Sequence, residues 1–142
     1  MNIVIQVLSG KDNLEDIKEI RRKVFIEEQS VPHEIERDGL DKRSEHLLIK
    51  ENGSPIGTLR MRFIDNKVKL ERFAILKEYR RKGIGTKAFS YAMEYCKKKG
   101  VKEIYFNAQY YLLDLYKRLG FKVRGEKFIE AGIEHIQMYM NP

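Results

Sequence analysis

A strand-like run ending near Ile75, a turn crowded with cations and glycine at Arg80-Arg81-Lys82-Gly83-Ile84-Gly85, and an amphipathic run continuing to Gly100 constrain this chain more than any other feature. If that amphipathic run is a crossover helix, the strand-like segment Lys102 to Ala108 must lie parallel to the one before the helix. The turn also has a chemistry. Without Cβ atoms at Gly83 and Gly85 the backbone can curl so that successive N–H groups converge, and the helix that follows adds its unsatisfied donors and positive dipole end. Such a junction suits phosphates. Many helices begin with glycine and solvated basic side chains for no further reason, so the surroundings must decide. Gly85-Thr86-Lys87 inverts the Gly-Lys-Thr order of the nucleotide-triphosphate loop, and the three spaced glycines of a dinucleotide fingerprint are absent.

With 142 residues the chain suits one domain spanning 1–142. Hydrophobic content of 42% with 35% charged residues reads as globular, and no apolar run approaches the length that crosses a bilayer. The opening segment lacks a basic leader and a long apolar region, so a cytoplasmic protein without membrane attachment is expected. Cys96, the one cysteine, falls on the apolar side of a helix and reads as a small buried hydrophobe. The net charge of +7 is uneven: Glu27 to Glu45 carries −4 and the remainder +11. A basic body attracts phosphorylated ligands, while an acidic flap suits a cationic co-substrate. Nucleic acid is not expected as a partner, because the cations gather at one loop and one helix end instead of forming a stripe interleaved with aromatics.

The periodicity predicts a strand over Asn2 to Leu8 and a helix carrying Leu14, Ile17, Ile20, Val24 and Phe25 that fades near Gln29. An irregular stretch or short helical turn follows over Ser30 to Ser44. A hairpin about Asn52-Gly53 joins His46 to Glu51 with Pro55 to Ile64, where Arg60 and Arg62 alternate with Leu59, Met61 and Phe63 to give one polar and one core face. In Lys67 to Ile75 the apolar positions slip from even (Val68, Leu70) to odd (Phe73, Ile75) near Glu71-Arg72. A β-bulge does this, and so does a central strand buried on both faces; both readings stand. A helix ending at Gly120 and a last hairpin from Phe121 to Glu126 and Glu134 to Met140 complete the order β-α-β-β-β-α-β-α-β-β, an α/β fold with a mixed central sheet flanked by helices.

The residues resemble the GNAT superfamily of acyl-CoA-dependent N-acetyltransferases, whose loop motif of Arg or Gln, two residues, Gly, one residue, then Gly or Ala matches Arg80 to Gly85. Along nearly the whole chain the sequence is similar to the small bacterial YjcF and ElaA-type branch. The matching residues are Arg21, Val24-Phe25, Glu28-Gln29, Val31-Pro32, Asp38, His46, Leu70-Glu71-Arg72, Asn107-Ala108-Gln109, Leu115 to Phe121, Ala131-Gly132-Ile133 and His135. It departs from the branch at Leu112, where a small residue is more common. The resemblance implies the GNAT (acyl-CoA N-acyltransferase) fold and acetyl-CoA as co-substrate, with no metal. It also implies that the pyrophosphate sits on Arg80, Arg81, Lys82, Gly83, Ile84, Gly85 and Thr86. The pantetheine arm would lie against the backbone of Phe73, Ala74 and Ile75 in a gap between two parallel strands.

The expected reaction is direct attack of a primary amine on the thioester, without a covalent intermediate on the protein. It needs a route for the amine proton, a donor to the tetrahedral oxyanion, and a group that meets the departing sulfur. Tyr116 matches the family's general acid and could equally be a core tyrosine. Glu71 is a base candidate if burial raises its proton affinity, and an ion-pair partner for Arg72 or for an arginine on the neighbouring strand otherwise. His135, sharing the polar side of the last strand with Gln137 and Tyr139, is the rival base. Asn107 is expected to hydrogen-bond the pantetheine or the following turn, and His46 to open its strand. The acceptor is expected to be a small-molecule or side-chain amine, with a cationic one suggested by the acidic segment, and the protein a monomer or homodimer. An acyl-CoA-binding sensor or interaction module of the same fold without turnover is the alternative.

Overall fold

The computed structural model describes residues 2–142, Met1 lying outside them, and gathers every strand into one seven-stranded sheet in the order β1-β2-β3-β4-β5-β7-β6. The strands are β1 (Ile3–Ser9), β2 (Glu45–Glu51), β3 (Ser54–Ile64), β4 (Lys67–Ile75), β5 (Glu103–Gln109), β6 (Lys122–Glu130) and β7 (Ile133–Met140). Neighbours run antiparallel except β4 and β5, which the crossover helix α3 (Ile84–Lys98) forces to run parallel. The helices α1 (Glu15–Arg21), α2 (His33–Glu36) and α4 (Leu113–Arg118) complete the predicted order, with α2 a short turn in the stretch read as irregular. From Arg22 to Glu28 the first helix widens into π-helical turns, with the Gln29 N–H donating to the Val24 carbonyl at 3.1 Å.

The alternation of β2 divides the core. Leu47 faces the large cluster in which Phe89, Ala92 and Cys96 of α3 and Tyr116 of α4 meet Leu59, Met61, Val68, Leu70, Ile104 and Phe106. Leu48 faces the other way, against Leu14, Ile17, Ile20 and Val24 of the first helix. Phe89 is the hub of the large cluster, with ring centroids 5.2 Å from both Phe73 and Phe106 and 5.1 Å from Tyr116. Burying a side chain of that size stabilises by about 1.5–3 kcal/mol from hydrophobic transfer alone.

The slip in β4 is a bulge. Arg60 pairs with Glu71 and Thr58 with Ala74, so Arg72 and Phe73 together stand opposite Leu59. Arg72 takes the left-handed conformation, φ +53°, that lets the extra residue in. The last hairpin differs from its expected bounds for the same reason. Arg124 pairs with Gln137 and Phe128 with His135, so β6 accommodates two extra residues around Gly125 and runs on to Glu130. The polar face of β3 also differs from expectation. Arg60 is 1% exposed, because the segment between α2 and β2 lies over it.

Candidate active site

The parallel ladder between β4 and β5 consists of Lys67 with Glu103, Val68 with Ile104 and Lys69 with Tyr105, and stops there. Beyond it the two strands continue separately to Ile75 and Gln109, opening a wedge in the middle of the sheet. The bulge at Arg72 lies on the β4 side of that wedge, so main-chain groups there escape both ladders. Of the expected backbone contacts, the Ile75 carbonyl is already engaged, accepting from Arg80 Nε at 2.9 Å. Phe73, Ala74 and the Ile75 N–H stand along the edge that β5 leaves.

At the far end of β4 the chain makes a 3₁₀ turn over Lys77–Tyr79, and Arg81 (φ +63°) and Gly83 (φ +76°) both adopt left-handed backbone before α3 begins at Ile84. No side chain caps the helix, so the first-turn donors stay free for a ligand. The two glycines act differently. Gly83 has open space around it and is required by its φ, whereas a Cβ on Gly85 would meet the Phe73 ring at 3.4 Å. Ile84 is buried in the core, Arg81, Lys82 and Thr86 are exposed, and the Lys82 ammonium lies 5.6 Å from the Tyr79 ring centroid. Arg80 is already paired. Its guanidinium faces Glu28 at 2.6 and 2.7 Å, so its charge is committed to an ion pair.

Tyr116 is 7% exposed, packed between Phe89 and Phe106, and its hydroxyl has no hydrogen-bond partner among the described residues. Burial pushes its phenol up to about 12, so the proton stays on at neutral pH. Glu71 does not have the raised proton affinity expected of a buried base. Burial pushes its carboxyl upward, but Arg60, Arg62 and Lys69 outweigh that and hold it below the ordinary glutamate value. Arg60 Nη2 pairs with Oε2, Arg62 Nε donates to Oε1 at 3.1 Å, and Lys69 Nζ lies 3.9 Å from the same oxygen. Glu71 is therefore the partner of its neighbouring arginines.

A cleft of about 270 Å³ opens where the strands part, lined by Leu70, Glu71 and Arg72 of β4, Asn107 of β5, Arg62, Lys69, Asp38 and Leu40, and Glu130 from the tip of the last hairpin. His135 does not line it, but its Nε2 lies 3.7 Å from the Glu130 carboxylate that does. The other ring nitrogen, Nδ1, is 2.8 Å from the Ile133 carbonyl and must donate to it, leaving the lone pair of the neutral ring on Nε2. Asn107 has no hydrogen bond from its amide among the described residues. Glu130 was missed by sequence reasoning; it stands in the part of the hairpin that the Gly125 bulge hid, and no spacing marked it.

The acidic segment is not a free surface. Six of its seven acids face cations: Glu27 with Arg22, Glu28 with Arg80, Glu36 with Arg21, Asp38 with Arg60 and Arg72, Asp41 with Arg21 and Arg60, and Glu45 with Lys99. Its charge is spent holding the flap to the sheet. Burial raises Asp38 and Asp41, but the arginines hold both below the usual aspartate range. His46, expected only to open its strand, is fully buried beneath the flap with Nε2 3.1 Å from the Asp41 carbonyl, and burial lowers its proton affinity. Cys96 is sealed in the core, its thiol pushed up to about 12 by burial, and has no part in the cleft. Leu112 packs against the large core from the 3₁₀ turn Tyr110–Leu112. Among the described residues no group of three metal-ligating side chains occurs, and no helix is long and apolar enough to cross a membrane.

Comparison with known proteins agrees with this geometry. The family described as "Acetyltransferase (GNAT) domain" matches residues 9–142. The chain is 35% identical to the Bacillus subtilis protein described as "Uncharacterized N-acetyltransferase YjcF", over 93% of this chain and 95% of that one. Its fold superposes on an acyl-CoA N-acyltransferase from Pseudomonas aeruginosa with a TM-score of 0.88 at 26% identity, covering 97% of this chain and 99% of that one. Escherichia coli ElaA gives the same TM-score, identity and coverage. The family match over residues 9–142 and the identity to YjcF show that the chain belongs to the GNAT acetyltransferase family, in the branch of YjcF and ElaA.

Proposed function

We propose that this acyltransferase moves an acetyl group from acetyl-CoA to a primary amine by direct attack. The observation that carries the reading is the parting of β4 from β5 after Lys69 and Tyr105, with an uncapped helix N-terminus at one end of the wedge and a polar cleft at the other. The main-chain donors from Arg81 to Thr86 would take the pyrophosphate, with Arg80 held back by Glu28 and serving to shape the turn. The open edge from Phe73 to Ile75 would guide the pantetheine, and Asn107 offers an unengaged amide opposite.

In the reaction the amine nitrogen bonds to the thioester carbonyl carbon and the carbonyl electrons collect on oxygen, where the main-chain N–H groups freed at the Arg72 bulge can donate. Collapse breaks the C–S bond and expels thiolate. Tyr116 meets that sulfur as a hydrogen-bond donor. Complete transfer from a phenol near 12 to a thiolate of ordinary pKa near 8.5 runs uphill by roughly 5 kcal/mol, so the proton that settles on sulfur comes from the medium. The proton lost by the amine would pass to the Nε2 lone pair of His135 beside Glu130, which suits it better than Glu71, paired with Arg60 and Arg62.

Thiol release from acetyl-CoA across a panel of primary amines tests the reading. Amine-dependent release is expected, with Tyr116→Phe slowing turnover at saturating amine and leaving the fold intact, since the hydroxyl has no internal partner. Calorimetric binding of acetyl-CoA with no release for any amine would replace the enzyme by a sensor of the same fold. Failure to bind acetyl-CoA would overturn both.

A further inference from the structure

The charged groups that line the cleft are unequal in what they have left to offer. Glu71 receives Arg60 on one oxygen and Arg62 on the other. Asp38 receives Arg60 Nη1 at 2.9 Å and the Leu40 N–H at 3.1 Å on Oδ1, then Arg60 Nη2 at 2.7 Å and Arg72 at 3.1 Å on Oδ2. Asp38 has its acceptor capacity filled, and each oxygen of Glu71 already accepts from an arginine. The cations keep donors free. Arg62 keeps Nη1 unengaged, and Lys69 approaches a carboxylate only at 3.9 Å, beyond hydrogen-bond reach. Arg72 uses Nη2 alone, on Asp38 and the Ile35 carbonyl, while its Nε is buried with no partner.

A ligand group entering between these side chains meets unengaged donors and, in Glu71 and Asp38, carboxylates already paired with arginines. It must therefore accept hydrogen bonds and gains most if it is anionic. The one lining carboxylate with no arginine or lysine partner among the described residues, Glu130, stands beside His135, where a protonated amine would first arrive.

We propose that the acceptor is an amine of amino-acid size carrying a carboxylate close to its nitrogen, with Arg62, Lys69 and Arg72 receiving the carboxylate and Glu130 the incoming ammonium. This reverses the expectation of a cationic acceptor and rests on the acyl-transfer reading above. The size follows from the cleft, whose volume of about 270 Å³ falls below the roughly 300–1,000 Å³ of pockets that hold drug-sized ligands.

Matched pairs of L-amino acids and the amino alcohols derived from them, which differ in the carboxylate and little in amine basicity, test the assignment. The wild type is expected to favour the amino acids in kcat/KM by about tenfold or more, mostly through KM, as a charge-assisted contact predicts. Arg62→Gln and, as a second variant on an accessible side chain, Lys69→Gln are expected to collapse that ratio, and Arg62→Lys to restore part of it. A purely structural role would lower both acceptors together and leave the ratio standing. A second readout needs no turnover: calorimetry of the N-acetyl amino acid against the N-acetyl amino alcohol should favour the acid, with the preference lost in Arg62→Gln. Equal kcat/KM for both acceptors, or a preference that the substitutions leave untouched, overturns the proposal while acetyl transfer stands. No thiol release with any amine fails the parent reading, and the product-binding comparison then decides this one alone.

Discussion

Arg80 reaches from the start of the phosphate-facing turn to Glu28 at the end of the first helix, joining the two through both terminal nitrogens at 2.6 and 2.7 Å while its Nε holds the Ile75 carbonyl. One side chain thus ties three segments together at the point where the chain turns toward α3. The pair is about one-third exposed at each partner, so its value lies in geometry more than in stability. Glu28→Gln is expected to leave the melting temperature within about 2 °C, because exposed pairs contribute little, and to change acetyl-CoA affinity. The released guanidinium becomes available to an anion, so the affinity should gain a steeper dependence on salt. Titrations of acetyl-CoA at two ionic strengths check this; identical salt slopes in both proteins would count against the pinning role.

The two glycines of the turn should separate in mutagenesis. Gly83→Ala meets no neighbour but must hold a left-handed φ of +76°, a strain of about 1 kcal/mol, and should weaken cofactor binding along with stability. Gly85→Ala keeps ordinary helical backbone and only presses on the Phe73 ring at 3.4 Å, so its melting temperature should stay near wild type. Thermal melts with and without acetyl-CoA distinguish them.

Arg60 is nearly fully buried among Asp38, Asp41 and Glu71. Removing it takes a shared cation from three carboxylates that keep only Arg72, Arg21, and Arg62 with Lys69, so Arg60→Leu should cost about 3 kcal/mol in chemical denaturation, the lower end of the range for a buried pair that loses one partner. A cost under 1 kcal/mol, the range of exposed pairs, would show that water already screens the cluster.

The same pairs set an acid limit. Asp38, Asp41 and Glu71 all have folded-state affinities below their ordinary values of 3.8 to 4.5, so the stability they contribute is present above that range and is lost as pH falls through the lower folded values. Melting temperature should be flat with respect to these groups from pH 7 to about 5 and then decline as the carboxyls protonate. A melting temperature that rose between pH 5 and 3 would contradict the sign.

Gly10 provides the sharpest steric test of the flap. A Cβ there would stand 2.1 Å from the Asp41 carbonyl oxygen and 2.6 Å from that of Lys42, both main-chain atoms that cannot swing aside. Gly10→Ala should displace the segment that buries Arg60, raising its proteolytic susceptibility. An unaltered digestion pattern would place the flap farther from β1 than it stands here.

Much of this was legible in the residues themselves. The slipped alternation around Glu71 allowed a bulge or a strand buried on both faces, which only the register with β3 decides, and the crossover between β4 and β5 demanded a parallel pair. How soon that pair would part came only from the family resemblance, because splaying leaves no periodic trace. Burial of Arg60 escaped notice because alternation tells which face a residue occupies and not what will cover it. The covering segment, rich in proline, glycine and mixed charge, carries no period at all. Glu71 shows the same gap in chemical form. Its burial could be read from apolar neighbours, but its protonation depends on Arg60 and Arg62, whose side chains reach it only through the antiparallel register. The link from Arg80 to Glu28 spans 52 positions and has no local signature.

The brevity of the ladder between β4 and β5 has a mechanical consequence. Four strands lie on one side of that seam and three on the other, and what fastens the halves beyond the third pair is Phe89, gripping Phe73 from one side and Phe106 from the other. Cohesion is delegated to an aromatic rivet under the sheet. The breach above it can therefore admit a long, thin guest without any strand having to let go of its neighbour.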